Sequence, residues 1–296
     1  MPENLDPVDD LLMILDLKRL PIDREDSHHD LFEGISQFKP DGRVFGGQVL
    51  AQSIVAATRT VEADRGIHSL HGYFLRAGDI REPITFGVER LRDGGSFSAR
   101  RVHAFQHGKA ILSLITSFQT ESDGIDHQDT MPEGLPDPES LPSAQELLGH
   151  IDHPYVQSWI NQRPMDIRHV DPSLYVGAGG KQVAEQTVWM RATKPIDADP
   201  GLHAAILAYA SDYSLLEPIL RRHGVKWLTP GLKIASLDHA MWWHRPVDVG
   251  QWLAYVQTSP SAGGGRGLST GRIFTTDGTL VATVAQEGMV RVPLQD

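Results

Sequence analysis

Apolar and polar residues alternate along four successive segments, HSLHGYFLR, PITFGVERLRD, FSARRVHAFQ and AILSLITSFQ, which predicts four half-buried β-strands. A glycine turn and a run with helical spacing, Gly46 to about Thr60, come before them. The same order returns later in the chain. A helix opens at Asp199 and Pro200 and carries apolar residues through Leu216, and ASLDHAMWWHR, QWLAYVQTS, GRIFTTD and TLVATVAQE follow it. Between the two blocks, residues 121–143 are rich in Asp, Glu, Gly and Pro and show no apolar period, so they read as a connector. The opening stretch, MPENLDPVDDLLMILDLKRL, is acidic with apolar residues at helical spacing, the pattern of an amphipathic helix and not of a leader peptide.

Laid over each other, the blocks match in several places. Phe74 and Arg76 fall on Trp243 and Arg245, the turn 106–109 falls on 276–279, and Gln119 falls on or beside Gln286. The expected organisation is an N-terminal domain over 1–120, an acidic, Pro-rich connector with a short helix over 121–165, and a C-terminal domain over 166–296. In each domain a long central helix must bury its apolar residues against a curled antiparallel sheet. The expected class is therefore α+β, with two helix-in-sheet hotdog units in tandem.

Composition narrows the possible functions. With 40% apolar residues and 28 glycines in 296 residues, the chain has the makings of a globular core. A net charge of −11 argues against a sequence-blind nucleic-acid binder. Having no cysteine, the chain cannot form disulfides, thiolate zinc sites, iron–sulfur clusters or a cysteine nucleophile. No run approaches the roughly 18 apolar residues of a membrane span, and the terminal PLQD matches no retention or peroxisomal signal. A cytoplasmic protein without membrane contact is the expectation.

Several motifs suggest chemistry that their context does not support. Gly267-Leu268-Ser269-Thr270-Gly271 fits the nucleophile elbow, but strands follow it where a helix is required, and no histidine comes after His244. Glycine runs at 263–267 and 177–181 lack phosphate-loop spacing. The histidine pairs His68/His71 and His239/His244 form no metal-binding array, so no metal is expected. Trp242, Trp243 and Trp252 read as packing residues, with an acyl-chain wall as the alternative. Arg76, Arg100, Arg101, Arg245 and Arg266 read as strand-end charges or as forks for a nucleotide phosphate, Arg100, Arg101 and Arg266 being the chosen phosphate candidates.

The strings VFGGQVLAQS, HSLHGYFLRAGD, ERLRDGGSFSARRV, ASDYSLLEP, SLDHAMWWHRP and VAQEGMVR, in this order, resemble acyl-CoA thioesterase II, the TesB family of double-hotdog enzymes. The resemblance runs from about Leu31 to Arg291. It implies hydrolysis of medium- to long-chain acyl-CoA to fatty acid and CoA without a cofactor, and further association into homo-oligomers is expected from exposed sheet edges. Residue by residue it points to Asp212, Ser236 and Gln286 as the trio that positions the attacking water. Threonine is the commoner occupant of the second place, so Ser236 keeps the hydroxyl and loses the methyl that fixes its rotamer.

Elementary chemistry runs parallel to the resemblance. A thioester carbonyl is electrophilic enough to need only a carboxylate that holds and partly deprotonates a water. Asp212 lies in the apolar stretch AAILAYASDYSLL, where an acid is costly to bury unless donors such as Ser236 and Gln286 satisfy it. The first block keeps Phe45-Gly46-Gly47 at its helix start but has Ile54 where the second has Asp212. One composite site is therefore expected, with Gly46 or Gly47 amides meeting the carbonyl across from Asp212 and the Gln48 side chain as a further candidate. A non-catalytic acyl-CoA-binding protein is the main alternative. A hydratase is a third, but its acid-and-histidine pair is not evident on the helix.

Overall fold

In a computed structural model of the protein, the described residues are 5–21, 29–175 and 182–293. The first half contains α1 (Pro7–Leu15), β1 (Lys18–Arg19), β2 (His29–Gly34), α2 (Gly46–Thr58), β3 (Arg65–Phe74), β4 (Ile84–Asp93), β5 (Phe97–Gln106) and β6 (Lys109–Thr120). After a 3₁₀ turn at Pro138–Ser140 come α3 (Ala144–Leu148) and α4 (Pro154–Asn161). The second half contains β7 (Met165–His169), β8 (Glu185–Ala192), α5 (Pro200–Ser211), α6 (Glu217–Arg222), β9 (Lys233–Ser236), β10 (Asp238–Trp243), β11 (Leu253–Gly263), β12 (Arg266–Thr275) and β13 (Leu280–Arg291).

All strand pairs are antiparallel and form one continuous sheet, ordered β1-β2-β4-β5-β6-β3-β10-β13-β12-β11-β8-β7, with β9 paired to β13 off this path. The order reads the same from either end once each strand is replaced by its counterpart in the other half. The seam is β3 against β10, where buried Leu70 and Met241 face each other. This is a double hotdog of the α+β class, with α2 and α5 side by side inside the sheet's curve.

The internal repeat extends to individual hydrogen bonds. Arg76 donates to the Ala110 carbonyl at 2.7 Å, and Arg245 donates to the equivalent Leu280 carbonyl at 3.1 Å. Phe74 faces Leu112 as Trp243 faces Ala282. Counting inward from those pairs puts Thr116 at the place of Gln286, so the match with Gln119 is corrected. Insertions and bulges differ between the halves, and only the ladder register shows which residues correspond.

Both central helices are buried on nearly every side, Gly47–Ala57 of α2 and His203–Ser211 of α5. A helix enclosed by a sheet on one face and by a second helix on the other has no solvent side, which explains their lack of a polar stripe. The helix predicted to run to Leu216 stops earlier, with Asp212 as its C-cap, and a turn leads into α6. The 263–267 run is a hairpin turn in which Gly264 and Gly265 both have positive φ. Ser269 lies fully buried inside β12, far from any elbow. The run 177–181 lies outside the described residues.

The acidic connector has a physical role beyond joining the halves. Asp126 and Asp129 pair with Arg245 and Arg272 of the second half, and Gln128 caps the β12–β13 turn through Gly278 and Leu280. No helix among the described residues is long and apolar enough to cross a membrane.

Close contact of the two helices rests on glycine. A Cβ on Gly47 would stand 2.3 Å from the Tyr209 carbonyl oxygen, whereas one on Gly66 would meet nothing within 4 Å. Gly47→Ala should therefore force α2 and α5 apart and cost about 1–3 kcal/mol, measured by denaturant unfolding, while Gly66→Ala should be nearly neutral.

Candidate active site

A cavity of about 530 Å³ opens where the N-terminus of α2, the C-terminus of α5, the end of β9 and the connector helix α4 meet. Asp212, Ser236 and Gly46 line it, together with Phe74, Tyr155, Trp159, Tyr175, Tyr213 and Trp227. The helix start at Gly46 has no side-chain cap of its own. The Gly47 N–H of this helix start hydrogen-bonds to Asp212, which sits at the end of α5.

The three residues expected as a trio converge. Gln286 Nε2 donates to Asp212 Oδ1 at 2.8 Å and to Ser236 Oγ at 2.5 Å, and the Ser236 hydroxyl donates to the same Oδ1 at 3.3 Å. The other carboxylate oxygen lies against Gly46, where a Cβ would come within 2.6 Å of it. Asp212 keeps one face open to the cavity but is otherwise enclosed by protein. Burial raises its pKa to about 6, against the opposing pull of hydrogen bonds from Gln286, the Gly47 N–H and Ser236.

A fourth member is His239, which in the sequence reads only as one of a histidine pair. It is fully buried beside Gln286, with Nδ1 3.0 Å from Gln286 Oε1 and Nε2 3.1 Å from Ser211 Oγ. Gln286 uses its amide N–H groups on Asp212 and Ser236, so its oxygen faces His239 and needs a donor there. That assigns the proton to Nδ1 and leaves Nε2 an acceptor that shares the single Ser211 hydroxyl proton with the Ala208 carbonyl, 2.9 Å from the same oxygen. Burial pushes the His239 pKa down to about 4, so the ring is neutral near pH 7. Strand register could have flagged this residue, since His239 and Gln286 are inward-facing neighbours on β10 and β13.

Other expected site residues stand elsewhere. Gly47 does not line the cavity, and its N–H serves Asp212, which leaves Gly46 as the glycine whose N–H donates to no acceptor among the described residues. Gln48 is fully buried and turned away, accepting from the Gln37 N–H at 3.0 Å and donating to Gln52 and the Ile35 carbonyl. Its tie is to the loop between β2 and α2.

The three phosphate candidates do not line the cavity. Arg100 is 1% exposed and fully engaged with Thr60, Asp93 and the Arg92 and Ala99 carbonyls, so it is a structural cation inside the first half. Arg101 pairs with Glu89 and Arg266 with Glu287, and neither lines the cavity. The basic residues that do line it are Lys39, Arg43, Arg76 and Arg163. Trp243 is buried, Trp242 packs on His71, and Trp252 packs against Arg168 and Arg191, so the cavity's tryptophans are Trp159 and Trp227 instead. Among the described residues no group of three or more His, Asp or Glu is placed to hold a metal ion.

Residues 36–119 match the family model described as the acyl-CoA thioesterase N-terminal domain, and residues 160–289 match the model described as acyl-CoA thioesterase. Acyl-CoA thioesterase 2 of Haemophilus influenzae is 38% identical over 267 residues, covering 88% of this chain and 92% of that protein. Human acyl-coenzyme A thioesterase 8 is 38% identical over 302 residues, covering 98% and 93%. Among solved structures, acyl-CoA thioesterase II TesB2 from Mycobacterium marinum is 44% identical with a TM-score of 0.77, covering 96% of this chain and 98% of that one. Fold and kinship together define a thioester hydrolase. The chain belongs to the acyl-CoA thioesterase family.

The hydrogen-bond order around Gln286 has a direct spectroscopic consequence. Long-range ¹⁵N–¹H correlation should find His239 neutral, protonated on Nδ1, and not titrating between about pH 5 and 8. A ring that titrates near 6.5, or one protonated on Nε2, would contradict this order.

Proposed function

We propose that the protein hydrolyses medium- to long-chain acyl-CoA to the free acid and CoA by direct attack of a water held by Asp212. The carrying observation is a carboxylate fixed by two neutral donors at the wall of a cavity lined with aromatic residues. Gln286 and Ser236 hold Oδ1, and the second oxygen, beside Gly46, is left to accept a proton from water.

In the proposed step the water oxygen forms a bond to the thioester carbon while its proton passes to Asp212. The carbonyl oxygen becomes an oxyanion facing the Gly46 N–H and the positive end of α2. Collapse of the tetrahedral species breaks the carbon–sulfur bond, and the proton on Asp212 is available to the departing thiolate. The acyl chain lies along Phe74, Tyr213 and Trp227, and the CoA phosphates lie toward the exposed rim arginines Arg43 and Arg76. A carboxylate near pKa 6 suits this role, because it is ionised at neutral pH yet basic enough to take a proton.

Thiol release from acyl-CoA esters of graded chain length tests the proposal. Asp212→Asn should lower kcat by about 10²–10⁴-fold with the fold unchanged. Because the base works deprotonated, kcat/KM should be level above about pH 6 and fall as Asp212 takes up a proton below it. The acid limb should vanish from the residual activity of the variant. Parental kcat in a correctly folded Asp212→Asn protein would sink the assignment, and binding of acyl-CoA without any thiol release by the parent would favour a binding protein.

A further inference from the structure

Of the basic residues lining the cavity, Lys39 and Arg163 lie against aromatic rings and not in contact with a carboxylate. Arg163, just beyond α4, has its guanidinium carbon 4.6 Å from the ring centre of Tyr213, 5.5 Å from that of Trp159 and 5.9 Å from that of Tyr175. Its hydrogen bond is to the Tyr175 hydroxyl at 3.3 Å, and its Nε is buried with no partner at all. Lys39, on the loop before α2, lines the same cavity with its Nζ 5.4 Å from the ring centre of Phe45. Among the described residues neither forms an ion pair, whereas Arg100 and Arg168, whose side chains are also largely buried, pair with Asp93 and with Asp166 and Glu139.

Held together, the two charges are unfavourable for each other. Burial and then the charge of Arg163 push the Lys39 pKa down to about 8, against the opposing pull of Asp41 and Asp10. Aromatic faces solvate a cation only in part, and they leave the guanidinium's in-plane donors free for an oxygen anion. An anionic group entering between Lys39 and Arg163 would relieve the repulsion and satisfy the orphaned donors together.

We propose that Lys39 and Arg163 form an anion subsite within the catalytic cavity that binds an anionic oxygen group carried by the thioester substrate. The inference rests on the thioesterase reading for its substrate, and it goes beyond that reading by assigning a recognition element on the connector. Either a phosphate of the CoA moiety or a carboxylate borne by the acyl chain has the required chemistry.

Three thioesters of equal chain length distinguish the sources: a plain acyl-CoA, the corresponding acyl-pantetheine without phosphates, and an acyl-CoA with a terminal carboxylate. Each is assayed with the parent protein, Arg163→Met, Lys39→Met and the charge-keeping Arg163→Lys. If the anion is a phosphate, KM for both CoA esters rises about 10-fold or more in the Met variants while that for acyl-pantetheine stays within about twofold. If it is an acyl carboxylate, only the carboxylated ester shows the rise. Arg163→Lys should recover part of the loss in either case.

Equal changes in KM for all three esters, or none for any, would overturn the proposal and leave Arg163 a packing residue. Calorimetry with inorganic pyrophosphate and with glutarate reads the subsite without turnover, so it separates failure of the subsite from failure of the thioesterase reading. One of these anions should bind the parent at least about 10-fold more tightly than the double variant Lys39→Met/Arg163→Met. Equal binding of both anions to parent and double variant would count against the subsite whatever the kinetics of the parent.

Discussion

The structure depends on the contact between the start of α2 and the end of α5. Two helices normally approach to the distance that their side chains allow. Here Gly46 and Gly47 remove that limit, and the backbone of one helix start lies against the Tyr209 carbonyl and the Asp212 carboxylate. A helix N-terminus without a cap offers free N–H groups and partial positive charge. An acid at the C-terminus of its own helix is ordinarily disfavoured by the dipole of that helix. The contact solves both problems, since Asp212 receives from α2 the field that α5 denies it, and α2 receives the acceptor that its Phe45 N-cap lacks.

Internal symmetry then makes the asymmetry informative. The matching bonds of Arg76 and Arg245 show that the two halves are built on one plan. Against that background, Thr116 stands where the second half has Gln286, and it bonds to the Ser69 carbonyl as an ordinary strand residue. Ile54, the apolar counterpart suggested by the sequence for Asp212, is wholly buried in the core. The polar machinery is therefore gathered at one end of the helix pair, and the first half contributes its glycine helix start there in place of an acid of its own.

Much of this was legible in the sequence because it depended on local periodicity or on long matching strings. The strands, both helix starts and the convergence of Asp212, Ser236 and Gln286 belong to that category. For Arg100 the sequence does carry a signal: it shares the inward parity of Ser98, Val102 and Ala104 on β5, while Arg101 faces outward. Period-two counting alone would have placed its guanidinium inside. By contrast, nothing local could reveal Gln48 or the connector residues Trp159 and Arg163. Their surroundings come from segments distant in the chain, and α4 is too short for its pattern to show which face meets a cavity.

The donors around Asp212 are all neutral, and its basicity depends on that. Gln286, Ser236 and the Gly47 N–H fix the carboxylate by hydrogen bonds without an opposing full charge, and burial outweighs them, leaving the pKa near 6. An arginine in place of any of them would hold the carboxylate well down, as the arginines beside Asp30 do, and would make it a weak base. His239 meets the same requirement one bond further out: a charged imidazolium would have to donate from both nitrogens, whereas the neutral ring orients the amide and adds no charge. The cavity does contain cations, but Lys39 and Arg163 are not among the groups that shift Asp212. Basicity at the carboxylate and attraction for an anion are thus kept apart within one cavity, and it is the connector that makes the separation possible by bringing Arg163 in from outside both sheets.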